Sequence, residues 1–184
     1  AVWADHWAYV DPVKNPLPEV ENKSWAKHWI DHFSLSYYER EDTNPAPDAD
    51  PVTLIRRLHF DLTGLPPKSE TVDKFVQNPS SNAYSDLINQ LLDSKHFGER
   101  IAIYCLDLVR YADTVGYHGD QPHNMSPYRD WVINAFNENM PFDQFTREQL
   151  AGDLLPNSTT QQKVASGYNR LLQTTHEGGL QIKE

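Results

Sequence analysis

The sequence predicts an all-α protein: an irregular multi-helix domain with long loops and an extended N-terminal strap. Along most of the 184 residues, apolar side chains recur at intervals of three and four, which is the spacing of one helix face. N-cap residues, prolines and glycines separate these segments where helices would end. No two neighbouring segments show the alternating pattern of paired strands. We therefore expect the core of the domain to form between packed helices.

Residues 1–23 form the predicted strap. Pro12, Pro16 and Pro18 lie close together there, and prolines at this density prevent helix formation and favour extended backbone. The aromatic residues before them are Trp3, Trp7 and Tyr9. We expect these rings to fix the strap to the rest of the protein. We expect residues 24–184 to form a helical domain of unknown function, truncated at its C-terminal end.

Eight segments of this domain carry the helical pattern. They are residues 24–41, 51–63, 69–78, 82–94, 99–113, 126–136, 141–154 and 159–173. Ser24 and Asp50 are expected to act as N-caps, with Pro51 at the first helical position of the second segment. A proline-rich linker, 44–50, precedes that segment, and a polar loop, 116–125, follows the fifth.

Composition excludes several classes of function. The net charge of -10 argues against nucleic-acid binding, which needs clustered Lys and Arg, and against an anionic membrane surface. No apolar run approaches the roughly 20 residues that cross a bilayer. The single cysteine, Cys105, excludes an intrachain disulfide and a Cys-x-x-Cys-His haem attachment sequence.

The densest polar cluster begins on the fifth segment and continues into the loop after it. Asp113, His118 and Asp120 can together bind a divalent cation or act as an acid and base pair. Glu177, beside Gly178 and Gly179, is a further candidate catalytic residue. An alternative interpretation takes Asp107, Arg110 and Asp113 as a buried charge network that fixes the helix to the loop.

Two other features bear on the environment of the chain. His6 and Trp7 lie in the aromatic strap, where they can approach a haem in a neighbouring segment, although packing alone also explains them. Cys105 lies among the apolar residues on one side of the fifth segment and is expected to be an inert core residue. These apolar residues are Ile101, Tyr104, Cys105, Leu108, Val109 and Ala112.

Six stretches resemble one known family. They are residues 54–67, which end in His-Phe-Asp-Leu-Thr-Gly-Leu-Pro-Pro, and residues 97–100, 106–113, 128–136, 148–156 and 175–179. Over about residues 24–184 the chain is similar to the planctomycete cytochrome-C-associated domain family, a domain of unknown function numbered 1549. Cys105 departs from the family pattern, which usually has Trp there. The family offers no catalytic residue to transfer.

The resemblance implies that the chain is an interior fragment of a larger multidomain c-type cytochrome protein, secreted or periplasmic. Haem c would be held by neighbouring segments or chains of the same protein, with none attached here. The predicted function is a module of a haem-associated redox protein that packs against those haem domains. Two alternatives remain: a metal-dependent hydrolase or lyase acting on polysaccharide, and a docking scaffold without catalysis.

Overall fold

The structure, a computed structural model, describes residues 6–116 and 119–172. The described residues form eight α-helices and no strand, so the all-α prediction is confirmed. The helices are α1 (Trp29–Arg40), α2 (Pro51–Thr63), α3 (Ser69–Gln77), α4 (Ser81–Leu92), α5 (Lys95–Leu108), α6 (Ser126–Asn137), α7 (Phe142–Ala151) and α8 (Thr160–Ala165). The chain divides into two compact units, Ala1–Asp48 and Ala49–Glu184.

The first unit contains α1 and the irregular segment before it. One 3-10 turn, Trp7–Tyr9, interrupts the predicted strap. Further on, the Glu39 carboxylate accepts hydrogen bonds from the backbone N–H of Glu21, at 3.0 and 3.2 Å, and from that of Asn22. These bonds hold the irregular segment against α1.

The predicted start of the first helix at Ser24 is wrong. The Ser24 hydroxyl donates to Asn22 Oδ1 at 2.7 Å and caps no helix. Instead, His28 Nδ1 accepts from the Ile30 N–H, and the Asp31 carboxylate accepts from the His28 N–H at 2.8 Å. This reciprocal cap fixes the helix start at Trp29.

The second unit has two apolar cores. One joins α2, α3 and α4, and the other joins α5, α6 and α8. The buried residues of the first core are Ile55, Leu58, Phe75, Leu87 and Leu91. Those of the second are Ala102, Met125, Tyr128, Trp131, Val132, Ala165 and Leu171. Because α5 packs against both α2 and α6, it links the two halves of the unit.

The beginning of α5 approaches α6 very closely. A Cβ atom on Gly98 would lie 2.4 Å from the Ile133 carbonyl oxygen and 2.5 Å from Asn137 Oδ1. The Gly98 N–H donates to that Oδ1 at 2.7 Å, and Asn137 Nδ2 donates to the Lys95 carbonyl at 3.1 Å. Only glycine permits this contact.

Buried polar groups connect the later helices. The Tyr128 hydroxyl donates to Gln149 Oε1 at 2.6 Å in the interior. The buried Glu148 carboxylate accepts from Gln144 and Gln162. The last predicted segment, 159–173, is α-helical only to Ala165 and continues as a 3-10 turn, Ser166–Arg170.

Candidate functional site

The candidate site begins where α5 ends, at Leu108 rather than at the predicted residue 113. The Tyr111 N–H donates to the Leu106 carbonyl and the Arg110 N–H to the Asp107 carbonyl, which is the Schellman pattern of a helix end. Arg110 occupies the left-handed position of this motif with φ 57°. Glycine is the residue usually found there, since a side chain costs about 1–2 kcal/mol in this conformation.

Asp113 fastens the loop that follows. Its Oδ1 accepts from the Tyr111 hydroxyl at 2.8 Å and from the Met125 N–H at 2.9 Å. Its carbonyl accepts from the His123 N–H at 2.8 Å. The hydrogen bonds to its carboxylate, with that of Tyr111 first, lower the pKa of Asp113, while burial and the neighbouring Asp113 raise the pKa of Tyr111 to about 12.

Asp120 fastens the tip of the same loop. Its Oδ1 accepts from the Gly116 N–H at 2.9 Å, and a hydrogen bond with the Thr114 side chain is the main cause of its lowered pKa. Thr114 and Pro122 form an isolated antiparallel bridge that closes the loop. Both carboxylates predicted to bind a metal therefore hold loop backbone.

The predicted metal and catalytic sites stay predictions. His118 and Glu177 lie outside the described residues. Within the described part of the chain, no group of three or more His, Cys, Asp and Glu side chains could hold a metal ion. The alternative of a buried network of Asp107, Arg110 and Asp113 is wrong, because all three are exposed and Asp113 bonds to Tyr111 instead.

Three cavities surround this loop and share lining residues. The smallest, about 40 Å³, lies between the loop and the end of the 3-10 turn. It is lined by Arg110, Ala112, Thr114, Val115, Gly116, His123, Met125, Arg170, Leu171 and Leu172. A cavity of about 300 Å³ shares Arg110, Leu171 and Leu172 with it, and one of about 330 Å³ shares His123, Met125 and Arg170. We call this group the loop cavities.

The last turn of α5 exposes large apolar side chains beside the loop cavities. Leu108 is 83% exposed and lines the 300 Å³ cavity, whose other apolar residues include Leu172, 61% exposed. Tyr104, one turn earlier, is 60% exposed, and Arg100 lies over its ring. The sequence pattern predicts Tyr104 and Leu108 on one apolar side with Cys105, but α5 buries the side that contains Ala102.

Cys105 and His6 were the two other residues singled out from the sequence. Cys105 is half-buried against the α5–α6–α8 core, and burial raises the pKa of its thiol, as expected of an inert core residue. His6 belongs to the first unit, where its Nδ1 accepts from the Ala8 N–H at 3.2 Å. Trp7 lies in the 3-10 turn beside it. Their predicted proximity to a haem stays a prediction.

Sequence analysis missed Arg170 and the exposure of Leu108. Arg170 lies within the predicted segment 159–173 like any solvated helix residue, and only folding brings it to the cavity that Arg110 also lines. The left-handed backbone at Arg110 also had no sequence signal, since glycine normally marks such a helix end.

Comparison with known proteins settles the family. The model of one family, described as PSCyt2, Protein of unknown function (DUF1549), matches residues 29–184. The chain belongs to this family. No curated protein and no solved structure matches it. The matched residues include α5, the loop after it and the 3-10 turn.

Proposed function

We propose that this chain is a docking module of a c-type-haem-associated redox protein, in which another segment or chain of the same protein carries the haem. The name of the matching family, PSCyt2, refers to a cytochrome and supports the haem context. A c-type haem needs two cysteines and a histidine for attachment, whereas this chain has only Cys105. The haem therefore belongs to a neighbouring segment, and the proposed location is the periplasm or the cell exterior.

One observation supports the docking role most strongly: the exposed apolar end of α5. Leu108, at 83% exposure, stands beside a cavity of about 300 Å³ with Leu172 on its rim. Exposed apolar side chains that cluster beside a cavity are typical of surfaces that another protein segment covers. A haem-bearing segment offers such a cover, since a haem edge is apolar.

Within the described residues, no helix is long and apolar enough to span a bilayer.

The first test is the visible absorption spectrum of the purified full-length protein, oxidised and then reduced with dithionite. Proteolysis and mass spectrometry would then locate the haem mass. The proposal expects a reducible haem spectrum and no haem mass on peptides of this chain. A protein without haem would overturn the redox role.

A second test compares two leucines of similar exposure. Leu108→Asp introduces a charge at the proposed docking surface, whereas Leu154→Asp introduces one at a leucine that is 79% exposed and lines none of the loop cavities. Soret-region circular dichroism of the full-length protein reports the surroundings of the haem. We expect Leu108→Asp to change this signal and Leu154→Asp to leave it unchanged. Equal spectra for both variants would contradict docking at this surface.

The same exposed apolar surface also favours a second candidate function, a docking scaffold without any redox role. The absorption spectrum separates the two candidates. A scaffold would bind its partner through Leu108 in a protein that has no reducible haem.

A further inference from the structure

We propose that the loop cavities bind an anionic group, a carboxylate or a sulfate-like oxyanion, between Arg110 and Arg170. Both arginines line the cavity of about 40 Å³, together with the hydroxyl-bearing Thr114 and with His123. A cavity needs about 10–15 Å³ for one water molecule, so this volume admits a few waters or one small anionic group.

The charge around these cavities is opposite to that of the whole chain. The sequence has 26 acidic and 16 basic residues. Yet no Asp or Glu among the described residues lines any of the three loop cavities, whereas Arg110, His123, Lys163 and Arg170 do. A cavity lined by one sign of charge attracts ligands of the opposite sign.

Within the described part of the chain, the guanidinium groups of Arg110 and Arg170 also lack hydrogen-bond and ion-pair partners. Arg129 donates to Asp130 at 2.8 Å and Arg147 donates to Asp143 at 3.1 Å, so these two arginines of the unit are paired. Across residues 6–116 and 119–172, the side chains of Arg110 and Arg170 have no hydrogen bond or ion pair. Two guanidinium groups at one cavity can bind a planar carboxylate or a tetrahedral oxyanion through paired N–H donors.

The backbone at Arg110 supports a role for its side chain beyond folding. Arg110 has φ 57° at a helix end where glycine would be relaxed. Arg110→Gly therefore removes the guanidinium group while keeping a backbone that glycine readily adopts. This makes Arg110→Gly a test variant that should still fold.

The test is a titration of the full-length protein with sodium sulfate and, separately, sodium acetate, at constant ionic strength maintained with chloride. Thermal unfolding and calorimetry measure the binding of each anion to four proteins. These are the wild type, Arg110→Gly, Arg170→Gln and the control Arg147→Gln. We expect saturable binding that is at least tenfold weaker in the first two variants and unchanged in the control.

The anionic group can also be a propionate of the docked haem. This source of the anion, unlike a free anion, rests on the proposed function. The wild type would then bind neither probe, while Arg110→Gly and Arg170→Gln, unlike Arg147→Gln, would alter the Soret circular dichroism. Binding of a probe supports a free anion even if the protein has no haem. If the wild type binds neither probe and the Soret signal is the same in all four proteins, the proposal is overturned.

Discussion

The two ends of α5 are built for different purposes. At its beginning, Gly98 is buried against α6, and Asn137 bonds to backbone on both sides of the contact. At its end, Leu108 is 83% exposed and Arg110 has a left-handed backbone beside open cavities. The first end stabilises the domain, and the second is the end at which we propose binding.

The largest expected effect is at the packed end. Gly98→Ala would place a methyl group within 2.5 Å of two oxygen atoms, so α5 and α6 must separate and the bond to Asn137 is strained. We expect a loss of about 3 kcal/mol or more in the free energy of unfolding, measured by urea denaturation. Gly167→Ala is the control, since its Cβ would meet no atom closer than 3.4 Å. Equal losses for the two variants would show that the Gly98 contact is not special.

A smaller loss in the free energy of unfolding is expected for a substitution at the buried Tyr128. Tyr128→Phe leaves Gln149 Oε1 without its donor in the interior, which costs about 1–3 kcal/mol. Tyr104→Phe, at a ring that is 60% exposed, is expected to change the unfolding free energy by less than about 0.5 kcal/mol. Urea denaturation of both variants measures the difference, and a Tyr128 variant as stable as the wild type would contradict this role.

At the open end, a substitution should stabilise the protein. Arg110→Gly relieves the left-handed backbone, so we expect the free energy of unfolding to rise by about 1 kcal/mol or less. A clear loss of stability on chemical denaturation would mean that the Arg110 side chain supports the fold, and the contrast between the two ends of α5 would weaken.

The fold was more predictable than the site. Asp50 and Pro51 predicted the start of α2 because a cap residue acts on the backbone a few residues away. Helix α5 was predicted too long, since Ala112 continues the apolar spacing past the Schellman turn at Arg110. The position of Arg110 and Arg170 at one cavity depends on the packing of α8 against α6, which no local pattern encodes.

The smallest expected effect is on the stability of the protein at acidic pH. Hydrogen bonds lower the pKa of Asp113 in the folded protein, so its stabilising contribution is complete above the ordinary Asp pKa of about 3.9. That contribution is lost as the pH falls through the lowered pKa. Urea denaturation from pH 6 to pH 3 should therefore show a steeper loss for the wild type than for Asp113→Asn. Parallel curves would mean that Asp113 does not fasten the loop.

The most direct test of binding at the open end of α5 is photo-cross-linking in the full-length protein. A benzoylphenylalanine placed at Leu108 reports what covers this position, and the same residue at Leu154 serves as the control. The account predicts cross-links from position 108, and few from 154, to a peptide that carries the haem mass. If position 108 gives no cross-linked peptide, or gives the same products as position 154, the exposed end of α5 does not dock a haem-bearing segment.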